Sequence, residues 1–177
     1  MKYFISLLFI LVMMQSKSII YSFSKSSDVN QWYITNDDVM GGISNSKISL
    51  DENGNGKFHG NVSTENNGGF AMVRLPIHIE LNNNSKKIVL KVKGDNKKYQ
   101  FRLKSQRNQR YWYVQSFITS IDWETIELPL SDFYPSFRGN KLNIENFNSN
   151  TIHEIAVLIS NKKDESFQLL IKSIEVL

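Results

Sequence analysis

The chain contains no cysteine. That excludes a disulfide, a lipidated N-terminal cysteine and a thiol nucleophile. An exported domain of this kind rests on its hydrophobic core alone. Catalytic signatures are equally scarce. No Gly-x-Ser-x-Gly elbow occurs, and Gly54-Asn55-Gly56-Lys57 lacks the rest of a phosphate-binding loop and reads as a hairpin. His59, His78 and His153 stand singly, without ligand spacing to one another or to a carboxylate pair, and read as incidental. Nucleophilic catalysis is therefore unsupported, and neither a cofactor nor a metal centre is expected.

Charge is low as well. The formal net charge is +4 over 177 residues, and it falls to +2 once residues 1–18, which hold Lys2 and Lys17 and no acid, are set aside. That is too little to imply nucleic acid. Long apolar runs are missing too. Tyr3 to Met14 is apolar except for one serine, about twelve residues where a bilayer needs roughly twenty. Lys2 precedes it, and Gln15, Ser16, Lys17 and Ser18 follow. The pattern is that of a secretory signal peptide over 1–18 with a small-x-small exit at Ser16-Lys17-Ser18. The expectation is export to a periplasm or the medium, with one domain over 28–177. The alternative is an uncleaved anchor extended through Ile19, Ile20 and Tyr21. Membrane association is expected only through that segment.

What is present is period-two alternation. Lys98-Tyr99-Gln100-Phe101-Arg102-Leu103-Lys104 places Tyr99, Phe101 and Leu103 on one face, and similar runs occur at 57–63, 87–93, 110–117 and 122–128. Roughly nine or ten short strands, with no amphipathic helix beyond two turns, predict an all-β sandwich of the jelly-roll type. Ser131 is a candidate cap for a single helical turn. Asn140 to Asn150 reads as a polar loop anchored by Leu142, Ile144 and Phe147, and Asn82-Asn83-Asn84 as a hairpin turn.

Two segments stand out as candidate sites. Asn36-Asp37-Asp38 runs into Gly41-Gly42, and Asn67-Gly68-Gly69-Phe70 precedes Arg74. Asp37 and Asp38 fit a structural turn with an ion pair, a calcium loop, or a ligand contact. Arg74 and Arg138 are the candidate cations for Asp38. Trp112 lies between Tyr111 and Tyr113, so a pleated strand turns it away from a core holding Tyr99, Phe101, Phe117 and Trp123. An exposed Trp112 would be a binding platform.

In order along the chain these landmarks, with Phe58-His59-Gly60, Gly94-Asp95, Leu128-Pro129, Phe137-Arg138-Gly139 and Phe167-Gln168-Leu169, resemble the complex I intermediate-associated protein family, the thirty-kilodalton assembly factors. The resemblance implies a galactose-binding-like jelly roll and a non-enzymatic, chaperone-like partner of assembly intermediates. The family pattern has glycine where Ala156 and Ser166 stand here. The alternative is a carbohydrate-binding module. The binding residues expected are Asp37, Asp38, Asn67, Arg74, Trp112 and Arg138. The partner is then a protein or a glycan.

Overall fold

The computed structural model describes residues 18–37 and 41–177. The alternation of β7 (Lys98–Lys104) is realised as expected, with Tyr99, Phe101 and Leu103 buried. β12 (Thr151–Ile159) and β5 (Ala71–Glu80) flank one another and do the same through Ile155, Val157, Ala71, Val73 and Leu75. β8 (Trp112–Ile118), β10 (Tyr134–Phe137), β11 (Asn140–Lys141) and β2 (Tyr33–Asn36) complete a seven-stranded sheet ordered β11-β10-β8-β7-β12-β5-β2.

The facing sheet is ordered β3-β4-β13-β6-β9. Its strands are β3 (Asn45–Leu50), β4 (Gly56–Val62), β13 (Glu165–Val176), β6 (Lys87–Lys93) and β9 (Glu124–Pro129). β1 (Ser18–Ser22) adds to the end of β13. All pairings are antiparallel. Phe58, Ile88, Leu90, Leu169 and Ile171 meet Tyr99, Phe101, Leu103, Ile155 and Val157 in one core between the sheets. Each such side chain is worth about 1.5–3 kcal/mol of burial. That core replaces the disulfides the chain cannot form.

Several expectations are corrected. The sandwich takes in residues well before Asp28, since β1 pairs with β13 and Phe23 is buried and stacked on Trp32. In the sequence Ile19-Ile20-Tyr21 reads as the tail of the apolar leader, and that hides the strand. Residues 1–17 of the expected signal segment 1–18 lie outside the described residues, and Ser18 begins β1. Asn82–Asn84 is no hairpin turn, because β5 and β6 belong to different sheets. The turn at Leu130–Asp132 is a short 3-10 turn after Pro129, without a side-chain cap. Trp123 is 39% exposed and stays out of the core, since it precedes β9 instead of lying in it. Phe147 anchors the 140–150 loop, whereas Ile144 is exposed. Among the described residues no helix is long and apolar enough to cross a membrane.

Candidate functional site

The two glycine pairs converge on one carboxylate. Asp37 is buried at the end of β2, and its Oδ2 accepts the N–H of Gly69 at 2.5 Å and of Phe70 at 3.2 Å. Ser44 donates its hydroxyl to Oδ2 at 2.6 Å and its backbone N–H to Oδ1 at 3.2 Å. Each pair has one glycine for conformation and one for space. Gly41 and Gly69 take φ of +85° and +125°, which other residues adopt with strain. A Cβ on Gly42 or Gly68 would lie 2.5 and 2.6 Å from the Asp37 carboxylate oxygens. Burial pushes the Asp37 carboxyl up, but the bonds from Ser44, Gly69 and Phe70 outweigh it and hold it below the usual range. Asp37 is thus a clamp between loops.

Asp38 lies outside the described residues. Asn67 takes φ of +60° in the loop Asp37 clamps, and the neighbouring Asn66 donates its amide to the Gly41 carbonyl at 2.8 Å. Arg138 takes φ of +49° in the β10–β11 turn, exposed, its guanidinium 5.4 Å from the Phe137 ring centre. Neither arginine proposed as an Asp38 partner takes part in the clamp's hydrogen bonds. Arg74 gives its Nε to Glu154 Oε1 at 2.6 Å and its Nη2 to the same oxygen at 2.5 Å.

The outer face of the seven-stranded sheet gathers a different set of residues. Strand register places Tyr134, Val114, Arg102, Ala156, Arg74 and Tyr33 in one row straight across β10, β8, β7, β12, β5 and β2. Tyrosines stand at both ends, arginines lie on either side of Ala156, and the floor between them is small. One row away, Ser116, Gln100, Leu158, Met72 and Thr35 lie side by side. In the row on the other side, Lys104 reaches Glu154 Oε2 at 2.8 Å. Glu154, only 6% exposed, therefore neutralises two cations at once.

Arg102 is treated differently. Its Nε and Nη2 both donate to Gln100 Oε1, at 3.1 and 2.6 Å. Burial draws the guanidinium down to about 10, opposed by Tyr134, and it stays charged at neutral pH. Trp112 does point away from the main core, as the pleat requires. It is not exposed. It packs with Met72, Val114, Ala156 and Leu158 at 9% exposure, with Lys104 Nζ 4.5 Å and the Arg74 guanidinium 5.8 Å from its ring centre. The neighbouring side chains on the crowded outer face, which strand alternation alone cannot show, cover it.

Two hollows remain. Two of the three histidines read as incidental come together where β12 bulges at His153, which lies against His78 with Nδ1 atoms 3.4 Å apart. They line a pocket of about 490 Å³ with Arg74, Arg107 and Glu154. At the loop end, a cleft of about 1200 Å³ is lined by amides and hydroxyls, among them Asn82, Ser105, Asn146 and Asn150, with Tyr111 and Tyr113. Tyr113 is pushed up to about 12, first by burial and then by Tyr111. Among the described residues no group of three or more histidine or acidic side chains could hold a metal ion.

Arg102, Gln100, Lys104, Glu154, Tyr134 and Tyr33 were not singled out by the sequence. A signal existed: Glu154 is one carboxylate inside an apolar run, and β7 alternates cations with core residues.

Two facing antiparallel sheets define a β-sandwich of the carbohydrate-binding-module type. A family 11 carbohydrate-binding module from Clostridium thermocellum, solved with a β-1,3-1,4-mixed-linked tetrasaccharide, superposes with a TM-score of 0.64 at 17% identity, over 91% of this chain and 95% of that one. The family 11 module of the cellulosomal cellulase Lic26A-Cel5E of the same organism gives 0.67 at 17% identity, over 93% and 95%. An agarase, AgWH50C, gives 0.61 at 9% identity, over 92% of this chain but 24% of its own. At these identities the likeness establishes the fold. No curated protein sequence matches the chain. The sequence matches the family described as Complex I intermediate-associated protein 30 (CIA30) over residues 21–171, and the chain belongs to that family.

Proposed function

We propose that the protein is a non-enzymatic binding module that takes an extended glycan along the central outer row of the seven-stranded sheet. The observation that carries this is the row itself: Tyr134-Val114-Arg102-Ala156-Arg74-Tyr33. Six strands spaced about 4.8 Å apart make a track on the order of 24 Å, long enough for several sugar rings. Tyrosine rings offer apolar faces at its ends, and guanidinium and amide groups offer hydrogen bonds in its middle. The fold is shared with a family 11 carbohydrate-binding module solved with a mixed-linked tetrasaccharide. Export through residues 1–18 belongs to this reading, since a glycan partner lies outside the cell; an intact Met1 on the native protein would remove it.

A second reading keeps the family's description and makes the partner a protein assembly intermediate, held in a chaperone-like way. Ile118, Ile121 and Trp123 favour it, being exposed close together in the chain at the β8–β9 end. Against it, Met72, Val114, Ala156 and Leu158 are buried and do not form an open apolar groove. The test is a glycan array run beside a pull-down from the native envelope, with Tyr33→Ala and Ile118→Asp variants. Polysaccharide retention lost in Tyr33→Ala supports the glycan reading. Capture of one defined protein, lost only in Ile118→Asp, transfers the function to the second.

A further inference from the structure

The central row carries more positive charge than the protein neutralises. Arg102 is flanked across the sheet by Val114 and Ala156, neither of which has a side-chain acceptor. One amide oxygen of Gln100 takes both of its bonded N–H groups, and among the described residues no carboxylate lies within 4 Å of it. Arg74 and Lys104 share Glu154 close by, so the contrast is local. Lys98, outward on the same strand, and Lys141, 5.6 Å from the Tyr134 ring centre, add cations without an ion pair among the described residues. A half-buried guanidinium without a counter-charge is a standing cost that an incoming anion relieves. The remaining N–H groups of the fork suit the two coplanar oxygens of a carboxylate or a sulfate.

We propose that the ligand of this face is an anionic polysaccharide whose carboxylate or sulfate groups seat on Arg102; this rests on the glycan reading above. The Gln100 amide nitrogen, left over once its oxygen serves Arg102, donates to the same group or to a sugar hydroxyl. A glycan fits better than an acidic peptide. Peptides dock on sheets by pairing with a free strand edge. Here the charge sits on the face of β7, between β8 and β12, where the backbone is already paired. The tyrosines at the row's ends offer flat surfaces to rings.

The test is affinity electrophoresis and calorimetry of the full chain at ~0.15 M salt. The probes are a polyuronate, a sulfated galactan, an uncharged mixed-linkage β-glucan and poly-L-glutamate. Binding to the polyuronate or the sulfated polymer, weakened roughly tenfold or more in Arg102→Gln and less in Arg102→Lys, supports the proposal and tells which anion is used. Lys98→Gln/Lys141→Gln, both exposed, should weaken it too, and thermal melts confirm that each variant is folded. Three outcomes overturn it. Equal binding of the neutral glucan, indifferent to Arg102→Gln, leaves the glycan reading intact and ends the acidic one. Equal binding of poly-L-glutamate, or an equal loss in Lys162→Gln/Lys172→Gln away from this face, means unspecific polyanion capture. Retention by no polysaccharide ends both readings.

Discussion

The carboxylate of Asp37 takes the backbone N–H of Gly69 at 2.5 Å, closing a separation of 32 residues. That bond turns two distant glycine pairs into one clamp, with Phe70 and Ser44 as its other donors. Asp37→Ala would strand backbone donors in a buried place, at about 1–3 kcal/mol for each donor left without an acceptor. The expected loss is about 2–4 kcal/mol, read as a lower urea midpoint at unchanged slope. A wild-type midpoint would mean that water replaces the carboxylate without cost.

The same clamp fixes a pH dependence. The folded carboxyl of Asp37 is held below its unfolded value by hydrogen bonds that overcome burial. A depressed carboxyl stabilises fully above its unfolded pKa of about 4, and the stabilisation fades as pH falls through the folded value. Asp37→Asn should therefore flatten the acid limb of the stability profile below about pH 4. Parallel acid limbs in both proteins would place the acid sensitivity elsewhere.

Gly68 and Gly139 should separate space from conformation. A Cβ at Gly68 would meet Asp37 Oδ2 at 2.6 Å and the Ser63 carbonyl at 2.9 Å, although the backbone φ there is −69°. Gly139 has φ of +81° and nothing within 4 Å of an added Cβ. Gly139→Ala should cost only its left-handed backbone, about 1 kcal/mol. Gly68→Ala should cost more, about 2 kcal/mol or above, because the clamp must open. The reverse order in melting temperature would show that the loop yields easily.

The sandwich was legible because alternation is local: β7 reads as core and surface in seven letters. The glycine pairs were legible as special backbone, but their reason was not, since Asp37, Ser44 and Gly69 meet only across sheets and loops. Gly94-Asp95 behaves alike. Asp95 accepts from the Tyr99 hydroxyl at 3.0 Å and the Gln168 N–H at 2.9 Å, so that landmark also staples strands together. The outer row was hidden for a different reason. It runs across six strands far apart in the sequence, and only register brings Arg102 beside Ala156 and Arg74. β1 was hidden by composition, because a leader and an edge strand are both apolar.

Trp112 gives a prediction opposite to that of an exposed platform. It is packed against Met72, Val114 and Leu158, beneath Lys104 and Arg74. Trp112→Ala should lower stability by about 2–4 kcal/mol, a little under the usual cost of emptying a core site, because one edge meets solvent. Denaturant unfolding measures it. A change within about 0.5 kcal/mol would mean that the ring contributes little packing.

Glu154→Gln separates stability from recognition. The carboxylate neutralises Arg74 through Oε1 and Lys104 through Oε2. An amide of the same shape removes the charge and leaves two cations facing Trp112 without a counter-ion. Breaking a buried pair costs about 3–5 kcal/mol, and with Arg74 a third exposed the expected loss is nearer about 2–3 kcal/mol. Binding should move the other way. The face gains one positive charge in net terms, so an anionic polysaccharide should bind more tightly, by roughly threefold at ~0.1 M salt and by nothing near 1 M. A protein that melts lower yet binds more tightly identifies Glu154 as the counter-ion that offsets Arg74 and Lys104 on the binding face. Weaker binding at both salt concentrations would instead make Glu154 a ligand contact in its own right, and unchanged melting would show that the ion triad adds no stability.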